Sequence, residues 1–153
     1  FKFEICLIIK LKLKIIKMLD SANVQSHIWP VRVYYEDTDA QAIVYYANYL
    51  KFIERARSTW VAQLGVDQLA LQAGGVVFAV RAIQAEYLAP ARLGDLLEVV
   101  SQRRSSTPAR WILHQEVQRA GQVLFTAEVT IVALTKAGKP TGLPAELRRN
   151  SNP

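Results

Sequence analysis

At 153 residues and 51% hydrophobic content the chain is the size of one ordinary domain with a substantial core, and its scattered 7 glycines and 6 prolines exclude a disordered or low-complexity class. The formal charge of +6 is uneven: residues 1–17 hold five lysines and one glutamate, leaving only about +2 for the rest, too little for a nucleic-acid footprint. The single cysteine, Cys6, excludes an intrachain disulfide and a cysteine metal cluster, and fits a reducing cytosol.

In residues 1–17 (FKFEICLIIKLKLKIIK) Lys10, Lys12, Lys14 and Lys17 interrupt the apolar residues. No run approaches the ~20 residues of a membrane span, and no small-residue cleavage site of a signal peptide follows. Met18 is the only methionine, so the expectation is a native start at Met18, with 1–17 a non-native or disordered leader. A basic segment lying on a membrane surface is the alternative.

Val31–Tyr35 (VRVYY) is β-branched and aromatic and predicts a first strand, ended by the turn-forming Glu36, Asp37, Thr38 and Asp39. Leu50, Ile53, Ala56, Trp60, Val61 and Leu64 recur at three- and four-residue steps and predict a helix over Ala47–Leu64, with Lys51, Glu54, Arg55 and Arg57 largely off its apolar face and Gly65 as the stop. Four β-type runs follow, Val76–Tyr87, Leu96–Arg103, Arg110–Arg119 and Val123–Thr135, separated by turn signals at Gly94-Asp95, Ser105–Pro108 and Gly121. The last three strands are close enough for an antiparallel meander, and the sequence after Gly142 reads as a loose polar tail. The expected domain is therefore 18–145, with 146–153 as tail. This order is α+β: a curved antiparallel five-stranded sheet wrapped around one long central helix would cover the helix's apolar face. Pattern alone does not separate that arrangement from other α+β folds.

The chemistry-bearing stretch is Val31–Arg57. Asp39 lies between a strand end and a helix start, whose first N–H groups have no intrahelical partners and favour negative charge. Such amides polarise a carbonyl and stabilise its oxyanion, while a nearby carboxylate attacks it or activates a water. An Asp before a helix is ordinarily a cap or turn residue, and Asp37, two positions earlier, reads as a turn or surface carboxylate. Glu54 is a second candidate acid, but pairing with Arg55 or Arg57 is the simpler role. His27 and His114 form no metal-spaced cluster. No G-x-S-x-G elbow, G-x-G-x-x-G or P-loop is present. Tyr34, Tyr35, Tyr45, Tyr46, Tyr49, Phe52 and Trp60 read as core and interface packing, with an acyl pocket as the alternative.

Val33–Asp39 (VYYEDTD), Ile43–Leu50 (IVYYANYL), Glu54–Arg57 (ERAR) and Tyr87–Asp95 (YLAPARLGD) resemble the signature of the 4-hydroxybenzoyl-CoA thioesterase family, in particular its Tol-Pal-associated acyl-CoA thioesterase branch. The resemblance implies a hot-dog fold and hydrolysis of an acyl-CoA thioester to free acid and CoA, without a cofactor. It matches Asp39 to the catalytic carboxylate, as nucleophile or general base. It matches Tyr45, Tyr46 and Ala47 to the amides facing the thioester carbonyl, and Arg103 and Arg104 to a basic pair for the CoA phosphates. It further implies a cytoplasmic homodimer or homotetramer whose sheets join across the subunit boundary, where the acyl-CoA site lies, and an association with an envelope complex. Two positions depart from the family pattern: Ala42 stands where Gly is usual, and Tyr46 where the branch has His, which makes Tyr46 a hydroxyl donor in place of an imidazole. Rival readings are an acyl hydratase on the same fold, a non-catalytic acyl-CoA-binding or envelope-associated protein, and a quinone-pathway thioesterase for an aromatic acyl group.

Overall fold

The computed structural model describes residues 26–148; the expectations for the leader, the Met18 start and residues 149–153 lie outside them. Strand β1 (Ser26–Arg32) is followed by a 3₁₀ turn (Tyr35–Asp37), helix α1 (Asn48–Gln63) and a short helix α2 (Gln68–Ala73). Strands β2 (Val76–Tyr87), β3 (Leu96–Ser106), β4 (Arg110–Arg119) and β5 (Gln122–Thr135) come next, then a two-residue β6 (Pro140–Thr141) and a helical turn α3 (Ala145–Arg148). All pairings are antiparallel, in the order β1-β3-β4-β5-β2. Consecutive strands β3, β4 and β5 form the expected meander. Register shifts between Val80 and Ala82, Arg103 and Ser105, and Val117 and Gln118 bend the sheet, and its concave face packs on α1.

Burial follows the two periods that the elements impose. Trp111, Leu113, Gln115 and Val117 alternate inward along β4. On α1 the buried stripe is Asn48, Tyr49, Phe52, Ile53, Ala56, Arg57, Trp60 and Val61. Arg57, expected off this face, is on it. Its guanidinium donates to Gln115 Oε1 at 2.8 Å, and Gln115 Nε2 donates to the Ile53 carbonyl at 3.0 Å and to Ser101 Oγ at 2.7 Å. The helix ends at Gly65, whose φ of +88° lets its N–H reach the Ala62 carbonyl (3.0 Å) while the Val66 N–H reaches the Val61 carbonyl (3.2 Å). That is the double bond of a left-handed helix stop.

Three expectations change. The first strand runs Ser26–Arg32 rather than Val31–Tyr35. The Asp37 carboxylate accepts the Tyr34 N–H at 2.9 Å and curls Tyr35–Asp37 into a turn. Pro30 sits within β1, which an edge strand tolerates because the missing N–H faces its open side. The sheet has a sixth strand, as β6 pairs with Ala133 and Leu134 in the column that β4 vacates beyond Arg110. Residues 143–148 also pack: Leu143 and Leu147 are buried, and the Leu143 N–H donates to the Pro108 carbonyl at 2.8 Å.

Candidate active site

Val33 leaves the sheet but stays tied to the β2–β3 turn. Its N–H donates to the Asp95 carbonyl and its own carbonyl accepts the Gly94 N–H, both at 3.0 Å. Asp37 then holds two segments together. Beyond capping Tyr34, its backbone carbonyl accepts the Tyr45 N–H and the Asn48 Nδ2, both at 2.9 Å. Asp37 is a turn residue, as expected, but it is 5% exposed and not a surface carboxylate. The pairing fixes the loop before Asp39 to the helix start after it. Asn48, buried at the first position of α1, is a positioning residue that reading the motif did not single out.

Asp39 sits in a tight reversal. Its N–H donates to the Ile43 carbonyl (3.0 Å) and its carbonyl accepts the Ala42 N–H (2.9 Å). Its Oδ1 accepts the Gln41 N–H at 2.8 Å, and among the described residues Oδ2 accepts no hydrogen bond. The reversal forces Ala42 to φ +58°, the left-handed region where a Cβ is disfavoured. The carboxylate borders a cleft of ≈ 380 Å³ with Tyr45, Tyr46, Tyr49, Tyr87 and Leu88.

At the helix start the Asn48 N–H donates to the Tyr45 carbonyl at 2.8 Å, so Tyr46 and Ala47 are the central residues of a turn leading into α1. Among the described residues their two amides donate to no acceptor, and no side chain caps the helix. The Tyr45 amide, by contrast, is committed to the Asp37 carbonyl. The Tyr46 carbonyl accepts the Tyr87 hydroxyl at 3.0 Å. The Tyr46 ring lies 4.8 Å from that of Tyr45 and meets Tyr87 edge-on at 6.3 Å. The Tyr46 hydroxyl beside it, and to a lesser extent the Asp39 carboxylate, hold the Tyr45 phenol above its ordinary pKa, so Tyr45 is a neutral donor at physiological pH.

Residues 33–150 match the model of the thioesterase-like superfamily. The chain belongs to that family. Over 121 residues the thioesterase is 42% identical to the acyl-CoA thioester hydrolase YbgC of Escherichia coli O6:H1, covering 78% of this chain and 90% of the relative. The acyl-CoA thioesterase YbgC of Haemophilus influenzae is 37% identical over 123 residues, covering 78% and 90%. The crystal structure of a probable thioesterase from Bartonella henselae superposes with a TM-score of 0.76 at 32% identity, covering 78% of this chain and 100% of that one.

Elsewhere the thioesterase separates residues that its sequence puts side by side. Arg103 faces the helix side of the sheet, its guanidinium 5.6 Å from the Trp111 ring centre, and burial lowers its pKa. Arg104 occupies the bulge of β3 and is exposed. The two side chains therefore point to different surroundings, and both lie at the end of β3 remote from Leu96, the end that neighbours the Asp39 loop. Glu54 accepts from Ser58 Oγ at 2.7 Å instead of pairing with Arg55 or Arg57. The aromatic set also divides. Tyr49, Phe52 and Trp60 are core, whereas Tyr45 and Tyr46 are exposed at the cleft.

Proposed function

We propose that this thioesterase hydrolyses acyl-CoA thioesters, with Asp39 as nucleophile or general base and the amides of Tyr46 and Ala47 as the oxyanion hole. The observation that supports this reading is an uncommitted carboxylate oxygen of Asp39 on the cleft that Tyr46 also lines, beside a helix start where the amides of Tyr46 and Ala47 are uncommitted. A thioester carbonyl oxygen directed at the amides exposes its carbon to Asp39. As nucleophile, Asp39 forms an acyl-carboxylate anhydride and expels the CoA thiolate, and water then releases the acid. As general base, it takes a proton from the water that attacks directly. The Tyr46 hydroxyl donates a hydrogen bond to the reacting thioester in either route. No step needs an imidazole.

The reading includes a cytoplasmic homodimer or homotetramer built through β2. That strand is an edge of the sheet, and its inward-facing Val80 and Ile83 are 46% and 40% exposed for want of a neighbour. For the CoA phosphates, exposure favours Arg104 over Arg103, and a guanidinium suits a phosphate.

The test is Asp39→Asn. Loss of the positioned carboxylate lowers kcat at least ~10²-fold with KM little changed. A cap or turn role predicts the reverse: near wild-type kcat and a small fall in Tm. That result would remove Asp39 from the chemistry.

A further inference from the structure

In a trans peptide the carbonyl and the N–H point in opposite directions, so a bond to the carbonyl fixes where the N–H is aimed. For the Tyr45–Tyr46 peptide that bond is main-chain: the Asn48 N–H donates to the Tyr45 carbonyl at 2.8 Å. The next peptide joins the Tyr46 carbonyl to the uncommitted Ala47 N–H and has no such tie. An α-helix would direct the Leu50 N–H to the Tyr46 carbonyl. It donates instead to the Ala47 carbonyl at 3.2 Å, and among the described residues no main-chain amide is bonded to the Tyr46 carbonyl. The donor that reaches it is a side chain from another element, the Tyr87 hydroxyl, at 3.0 Å.

Tyr87 is itself firmly held. It is the last residue of β2, paired with Phe125, and the next two amides, Leu88 and Ala89, both donate to the Leu124 carbonyl, at 2.8 and 3.1 Å. The backbone beneath the phenol is therefore fixed to β5. Its ring meets the buried rings of Phe125 and Tyr49 edge-on, at 5.0 and 5.6 Å between centres. Burial, and to a lesser extent the neighbouring Tyr46, hold the phenol above its ordinary pKa, so at neutral pH the hydroxyl keeps the proton that it donates. A hydrogen bond accepted by a carbonyl also polarises its peptide and strengthens the N–H at the other end as a donor.

We propose that Tyr87 is a positioning residue for thioester hydrolysis, its hydroxyl setting the direction and donor strength of the Ala47 amide through the Tyr46 carbonyl. The proposal rests on the oxyanion hole proposed above. The hydroxyl acts at one end of the peptide and its effect emerges at the other, so it needs no contact with the reacting atoms. The demand on the amide grows as charge moves onto the thioester oxygen. Loss of the hydroxyl is therefore felt in the transition state more than in binding.

Tyr87→Phe tests this. The ring borders the cleft beside Tyr46 and Tyr49, and Phe leaves that wall in place, so the variant reads the hydroxyl alone. With hexanoyl-CoA as probe, kcat falls about tenfold, less than the ~10²-fold of deleting an oxyanion donor outright, while KM and Tm stay close to wild type. A packing or substrate-binding role moves Tm or KM instead. A kcat that stays close to wild type overturns the proposal whatever Tm and KM do. The second measurement needs no turnover. In an Asp39→Asn background, benzoyl-CoA isotope-labelled at its carbonyl carbon is bound and its C=O stretch followed by difference infrared spectroscopy. Hydrogen bonds to the thioester oxygen lower the frequency, and Tyr87→Phe reduces that shift by roughly half, as expected for weakening one of two donors. An equal shift with and without the Tyr87 hydroxyl overturns the role of Tyr87 and leaves the oxyanion hole standing. No shift in either protein removes the oxyanion hole, and the role of Tyr87 with it.

Discussion

Ala42 is the residue whose backbone and side chain are most at odds. Its φ of +58° closes the Asp39 reversal, at a cost that a residue without Cβ avoids. Ala42→Gly therefore stabilises the fold by about 1 kcal/mol, read as a rise in Tm of a few degrees, and leaves kcat unchanged. A lower Tm would mean that the reversal tolerates the methyl group without strain. Asp37 and Asp39 form the complementary pair of cases. Asp37→Asn keeps a cap acceptor for Tyr34 but weakens a buried, charged one, so it costs about 1 kcal/mol of stability and lowers kcat far less than Asp39→Asn. Thermal melts and kcat on the two variants separate positioning from chemistry. The place of Asp39 between the first strand and α1 was legible from its motif. The burial of Asp37 was not, since two aspartates two positions apart differ only in what the rest of the chain brings to them. The same limit applies to the Tyr45 amide, which is bonded to an acceptor eight residues earlier in the chain.

The elements were read more closely than their ends or their polar contacts. Strands Val76–Tyr87 and Arg110–Arg119 have the expected bounds, and α1 falls one residue inside Ala47–Leu64 at each end. β-branched runs and a 3.6-residue apolar period survive in almost any tertiary setting. The first strand was misplaced because a side-chain cap, not a change in β propensity, ends it. Arg57 was assigned to the solvent side because periodicity sorts residues by hydropathy, and a buried arginine is visible only once its partner is known. That partner, Gln115, joins α1 to β4 and, through Ser101, to β3. Gln115→Leu strips the acceptor from a buried guanidinium and destabilises the fold by about 2–4 kcal/mol, measured by urea denaturation. A loss under 1 kcal/mol would show that Arg57 reaches water instead.

At the scale of the whole molecule, the sheet around a helix was legible through the resemblance, because the element order alone admits other α+β folds. The proposed subunit boundary is argued from β2, where Val80 and Ile83 on the helix-facing side remain exposed. Ile83→Asp places a charge there without disturbing the core of one protomer. Sedimentation should then show a monomer with unchanged far-UV circular dichroism and kcat/KM lowered by more than tenfold. A dimer of wild-type mass would move the interface elsewhere. The two outer strands of the described sheet are not equivalent. β2 offers a full unpaired edge of 12 residues, whereas β1 carries Pro30 and presents one donor fewer along its outer side. Strand addition at β2 in the proposed dimer would occupy that edge in both partners at once, since a two-fold contact uses the same surface on each. In the proposed dimer the sheet thus has a valence of one in the direction of its strand order: two copies saturate it, and the edges left open are the two proline-bearing β1 strands.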